Sequence, residues 1–248
     1  MQESIPVGAA EGPPLERIAS ATSDALGGPL SDPRALQILS TEHWSLLASR
    51  SLAYNEAFSR AGMFLSFLSA SLIVIGFLIG SQGLSSAVVP VAVALLLADL
   101  FIGMATVGRL ISASAEDLQC VGGMNRIRHA YREMVPGLEL YFTSGFHDDA
   151  KGVLATYGYR RRPGLLPNIL HGVTTTIGMV ATIDAMILGA LGAVVMIGLG
   201  AEVAVALVLG VVGFLAGFAV FVAVGMRSAM SQQARAESRF PTPDELGR

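Results

Sequence analysis

RAGMFLSFLSASLIVIGFLIGSQGLSSAVVPVAVALLLAD, from Arg60 to Asp99, carries no charged side chain between its two ends. A helix needs about 20 apolar residues to cross a hydrocarbon core of about 30 Å, and this run is nearly twice that long. Ser81, Gly83, Ser85 and Ser86 divide it into two pieces. Ala61 to Gly80 and Ala87 to Gly108 each suffice for one crossing. Further on, Val173 to Gly198 contains a single acid, Asp184, and Val203 to Met226 contains none. These stretches far exceed the roughly 9 to 11 residues of a barrel strand, so they read as helices that satisfy their own backbone. The expected fold is all-α: an integral membrane bundle of four transmembrane helices in two hairpins, with amphipathic cytoplasmic helices.

The composition agrees. The 248 residues are 52% hydrophobic and 14% charged, against about a quarter charged in soluble domains. Glycine is frequent, at 28 residues, which suits helices that approach closely through small side chains. All 16 Lys and Arg fall on one side of the expected topology: four before the first span, eight between the second and third, and four after the fourth. The turns Ser81 to Ser86 and Leu199 to Glu202 have none. By the positive-inside rule, both termini and the middle segment are cytoplasmic. A bacterial cytoplasmic (inner) membrane, crossed several times, is the expected location. The N-terminus lacks a basic stretch followed by an apolar core, so no cleavable signal peptide is expected.

The expected layout divides the chain into a disordered leader (1–30), an amphipathic cytoplasmic helix (31–60), a first hairpin (61–108), a cytoplasmic helical segment (109–172), a second hairpin (173–226) and a cytoplasmic tail (227–248). Ser31, Asp32 and Pro33 suggest a capped helix start. Leu36, Leu39, His43, Leu47, Tyr54, Phe58 and Leu65 recur at helical spacing and form the expected apolar face. The second span is expected to extend through ISASAEDLQ and stop at Gly122 and Gly123. MNRIRHAYREM then forms another helix ending at Pro136, and a short helix is expected from about Asp148 to Tyr157, closing on Gly158.

Two acids stand out. Asp99 lies ten residues from Arg109, or about 15 Å along a helix, and Asp184 lies midway along its own span. A charged Asp at the centre of a helix costs about 2.5 to 3.5 kcal/mol even on a lenient insertion scale. No Lys or Arg within any span offsets it. Both are candidates for handling a proton or a cation; otherwise each hydrogen-bonds a neighbouring helix through hydroxyls such as Thr106, Thr174, Thr175, Thr176 or Thr182. Ala92, Asp99, Gly103 and Thr106 share one face. Gly210, Gly213 and Gly217 form a helix-packing stripe on the fourth span, and Ala181, Ala185, Gly189 and Gly192 another on the third, with Asp184 to its side.

Arg160, Arg161 and Arg162 in RRRP are candidates for anionic lipid headgroups, although topology alone would also place them there. FHDDAKG reads as helix N-terminal acids rather than a metal site. Cys120, the single cysteine, forms no intrachain disulfide. There is no P-loop, GxSxG, HExxH or dinucleotide fingerprint. No cofactor, metal or nucleic acid partner is expected.

HWSLLASRSLAYNEAFSRAGMFLSFLSASL and LELYFTSGFHDDAKGVLATYGY resemble uncharacterised multi-pass membrane proteins of high-GC bacteria. The layout of an amphipathic helix, two spans and a returning helix is similar to that of two-span bacterial membrane effector domains. Neither resemblance implies a particular activity. The expected function is a non-enzymatic, oligomerising membrane module in contact with the lipid bilayer. The alternative is a proton- or cation-coupled transporter or channel that uses Asp99 and Asp184.

Overall fold

A computed structural model describes residues 28–158, 172–235 and 237–243. Most of the expected leader, together with Arg160, Arg161 and Arg162, lies outside these residues. Among the described residues the structure is helical, with no strand. Its α-helices include α1 (Ala35–Gln82), α2 (Val88–Met134), α3 (Ala150–Thr156), α4 (Thr176–Gly198) and α5 (Val203–Arg235). Four of them, α1, α2, α4 and α5, are long and apolar enough to cross a membrane. Gly83 (φ 64°) after α1 and Gly200 (φ 85°) after α4 take the left-handed backbone that their turns require.

The 48 residues of α1 and 47 of α2 make rods of about 70 Å each, more than twice the hydrocarbon thickness. They therefore continue past the membrane, at the basic end of the molecule, as an antiparallel pair. Their seam is built from steps of three and four. On α1 it buries Ala53, Ala57, Ala61, Phe64, Leu68, Ser71 and Ile75; on α2, Ala92, Leu96, Asp99, Gly103, Thr106, Leu110, Ala113 and Asp117. Such alternation keeps one face turned to the partner over many turns, as in coiled coils.

This seam corrects two expectations. Leu36, Leu47 and Phe58 of the expected apolar face are exposed, as is Trp44. The buried face of α1 turns on Ala53, Ala57 and Ala61, whose small side chains let the backbones approach. Likewise α2 does not stop at Gly122 and Gly123 but runs on to Met134. Two glycines cost a helix about 2 kcal/mol relative to alanine; here Gly123 makes room for Leu46, while a side chain at 122 would meet only ordinary contact. A β-carbon at 123 would lie 2.9 Å from Leu46 Cδ1 of α1, and one at 122 would lie 3.9 Å from Val153 Cγ2 of α3. At the other end α1 begins at Ala35 rather than Pro33, after a 3₁₀ turn at Pro29–Ser31, and Asp32 Oδ1 accepts the Arg34 N–H at 2.8 Å.

The spans pack in the order α1, α2, α4, α5, with no extended contact from α1 to α4 or α5. The two acid-bearing helices, α2 and α4, are thus central. The α4–α5 contact uses the Gly210–Gly217 stripe and part of the α4 stripe: Gly213 lies against the Gly189 backbone and Gly217 against Ala185 and Leu188, while Gly210 faces Gly189 and Ala193; Gly192 has open space beside it. The outer faces remain apolar, with Leu72, Ile73 and Phe77 on α1 and Leu207, Val208 and Val212 on α5 exposed. In a bilayer such faces meet lipid tails at no hydrophobic cost.

Candidate functional site

Asp99 and Asp184 are both fully buried. The central α2–α4 contact brings them into one layer. Asp184 lies over Gly103, where a β-carbon would be 2.6 Å from the Asp184 Cγ and 2.8 Å from its Oδ2. Gly103 is four residues beyond Asp99 on the same face, about one turn or 6 Å along the helix. Glycine at 103 is therefore what admits the second carboxyl beside the first. Asp184 points away from the Ala185–Gly189 stripe, which faces α5, because one helix must serve two neighbours.

The hydrogen bonding of this layer is incomplete. The Ser71 hydroxyl of α1 donates to Asp99 Oδ1 at 3.2 Å. Among the described residues, Asp99 Oδ2 and both oxygens of Asp184 have no partner. The threonines expected to serve them are engaged elsewhere: Thr106 donates to Ile102 O at 2.8 Å, Thr182 to Gly178 O at 2.7 Å, and Thr175 to Gly172 O at 2.6 Å. A hydroxyl inside a helix commonly bonds the carbonyl one turn back. Ser71 reaches across because it occupies a seam position of α1, a signal present in the steps Phe64, Leu68, Ser71, Ile75.

Among the described residues, no cation pairs with either acid of the layer. Arg109, the nearest along α2, pairs with Glu56 at 2.9 Å and Glu116 at 2.8 Å. An unpaired charge in a dry site costs several kcal/mol. Such a layer accommodates neutral acids, or an acid whose charge is met by an arriving proton or cation. Among the described residues, no group of three or more His, Cys, Asp or Glu is placed to hold a metal ion.

A further buried acid, Asp117, is one that the sequence reading passed over. It is 3% exposed, and it receives Arg50 Nε, the Tyr157 hydroxyl and, at 2.9 Å, the Tyr54 hydroxyl. The Arg50 guanidinium lies 5.6 Å from the Tyr157 ring centroid. Burial and the bond to Asp117 push both phenols above the usual tyrosine range. Burial works to lower Arg50, and the Asp117 carboxylate more than offsets it. The spacing offered a clue: Asp117 follows Asp99 by 18 residues, about five helical turns, so the two share a face.

The loop before α3 is fixed by Asn125 of α2, fully buried, whose amide donates to His147 O at 2.7 Å and to Thr156 Oγ1 at 3.0 Å. The two acids of FHDDAKG divide their work. Asp149 caps α3, accepting the Gly152 N–H at 3.1 Å. Asp148 holds the C-terminal tail, accepting from Arg126 Nε at 2.5 Å, Ser238 Oγ at 2.9 Å, and the backbone N–H of Arg239 and Phe240 at 2.9 and 2.8 Å. Burial would raise the Asp148 carboxyl, but the donors of Arg239, Arg126, Phe240 and Ser238 outweigh it and hold it at about 2. The Phe240 ring stacks on His129 with centroids 4.1 Å apart. Thr242 Oγ1 adds a bond to Asp149 at 2.7 Å.

The candidate residues thus separate into distinct places. Asp99 and Asp184 come together in the membrane; Gly210, Gly213 and Gly217 lie on the α4–α5 contact; and Arg160 to Arg162 are outside the described residues. Comparison with family models, curated proteins and solved structures finds no match.

Proposed function

We propose that this chain is a non-enzymatic, multi-pass module of a bacterial inner membrane whose buried carboxyls, Asp99 and Asp184, exchange protons or a small monovalent cation. The observation that supports this reading is the layer formed where Asp184 lies over Gly103, one turn from Asp99, with three carboxyl oxygens unpartnered and no cation beside them. Intramembrane acids of this kind are costly and mark ion or proton paths. The one-sided distribution of Lys and Arg supports cytoplasmic termini. Infrared difference spectra between two pH values test the exchange. The carboxyl bands should disappear in Asp99→Asn and Asp184→Asn; bands unchanged in both variants would sink the reading.

Self-association is a second reading, supported by the open row of helices. The outer apolar faces of α1 and α5 are available to another copy, whereas the Gly210–Gly217 stripe is engaged within the chain. Mass measurement in native nanodiscs tests it, and a strictly monomeric protein would rule it out.

A further inference from the structure

Beyond the membrane, the α1–α2 pair contains a cation that the fold does not neutralise. Gly123 of α2 admits Leu46 of α1 and fixes the antiparallel register. His43, three residues before Leu46, therefore faces the stretch of α2 after Gly123, where Arg128 lies. Arg50, four residues after Leu46, faces Asp117 and bonds it. Arg128 Nη1 donates to the neutral amide oxygen of Asn125 at 2.7 Å. Among the described residues, no acid lies within ion-pair distance of Arg128. His43 Nδ1 is buried and has no partner. Asp117 matches Arg50, which leaves the positive charge of Arg128 unmatched.

We propose that His43 and Arg128 form a binding site for a soluble, phosphate-bearing anion seated between the extended parts of α1 and α2. The guanidinium of Arg128 offers a planar fork suited to two phosphate oxygens, and the imidazole of His43 offers a further nitrogen. Burial, and then the charge of Arg50, lowers Arg128; burial, and then the charge of Arg128, lowers His43. An anion among them would relieve that mutual repulsion.

Distance favours a soluble ligand over a lipid. His43 precedes Arg60 by 17 residues and Arg128 follows Arg109 by 19, which places the cluster about 25 Å beyond the ends of the spans. Headgroups do not extend that far, since the polar regions add only about 5 to 8 Å to each side of the hydrocarbon core.

Calorimetric titration of inorganic phosphate into the full chain, held in phosphatidylcholine nanodiscs, tests the site. Saturable binding is expected, weakened at least about tenfold by Arg128→Gln and also weakened by His43→Ala. Arg132→Gln, at a residue stacked on Phe146 with its guanidinium 4.8 Å from the ring centroid, should leave binding unchanged. Should Arg128→Gln fail to fold, Arg128→Lys keeps the charge without the fork and should bind more weakly than the native chain. The same affinity is expected in phosphatidylglycerol discs; loss of phosphate binding there would mean that a headgroup fills the site and would overturn the soluble ligand. Absence of saturable binding, or equal binding by Arg128→Gln, would overturn the site itself.

Discussion

Asp184 of α4 occupies the space over Gly103 of α2 that a side chain at 103 would need, with the Asp184 Cγ 2.6 Å from an ideal β-carbon there. The relationship joins the two hairpins at the layer that holds both buried acids. Gly103→Ala should therefore force the Asp184 side chain aside and destabilise the fold by about 1 to 3 kcal/mol, the usual cost of overpacking. Reversible unfolding in mixed micelles measures it. The cost should shrink by about 1 kcal/mol or more when Asp184 is also changed to Ala, because the two positions share one space; strict additivity would refute the contact.

The α4–α5 interface makes a sharper distinction between two glycines. A β-carbon at 189 would lie 2.6 Å from the Gly210 carbonyl, a backbone atom, whereas one at 213 would lie 3.5 Å from Gly189 Cα. Gly189→Ala should separate the hairpin and lower its unfolding temperature, while Gly213→Ala should be tolerated. Equal effects at the two positions would contradict the packing described.

At the basic end, Asp117→Asn removes the charge that Arg50 and two phenols are arranged around. Breaking a buried ion pair costs about 3 to 5 kcal/mol; because the Arg50 side chain is 30% exposed, the low end is expected. Tyr157→Phe, which removes one donor to a charged acceptor, should cost about 1.5 to 3 kcal/mol or less. Chemical denaturation checks both, and a Tyr157→Phe protein less stable than Asp117→Asn would contradict the central role of the carboxylate.

The C-terminal tail should come loose in acid. The Asp148 carboxyl sits at about 2 when folded, below its ordinary 3.8. A depressed acid contributes stability that is fully present above the unfolded value and is lost as pH falls through the folded one. The tail should therefore stay docked at neutral pH and release as pH falls from about 4 toward 2. A spin label at Pro243→Cys, in a Cys120→Ser background, should gain mobility over that window. In Asp148→Asn it should be mobile at neutral pH; an immobile label in that variant would refute the clasp.

The physical reasons that some features were readable in the sequence, and others were not, are specific. The four spans follow from uninterrupted apolar length, a signal carried by about 20 neighbouring residues each. Asp99 and Asp184 were conspicuous because a charge in such a run is costly. The buried face of the entry helix was misread because Leu36, Leu47 and Phe58 are the more hydrophobic residues, while close approach selects Ala53, Ala57 and Ala61. Gly122 and Gly123 have low helix propensity, but the contact with Leu46 overrides it. Asp148 carries no local sign of its role, because most of its donors, in Ser238, Arg239 and Phe240, lie some 90 residues away. The Asp184–Gly103 contact likewise depends on how two hairpins dock.

The role proposed for Asp99 and Asp184 is exchange of protons or a small monovalent cation. The most direct measurement is the decay of an imposed pH or cation gradient in sealed proteoliposomes, compared with protein-free vesicles. The account predicts faster decay with the native protein, lost when Asp99→Asn and Asp184→Asn are combined in a chain that still folds. Decay no faster than in empty vesicles, or unchanged by the double substitution, would contradict it.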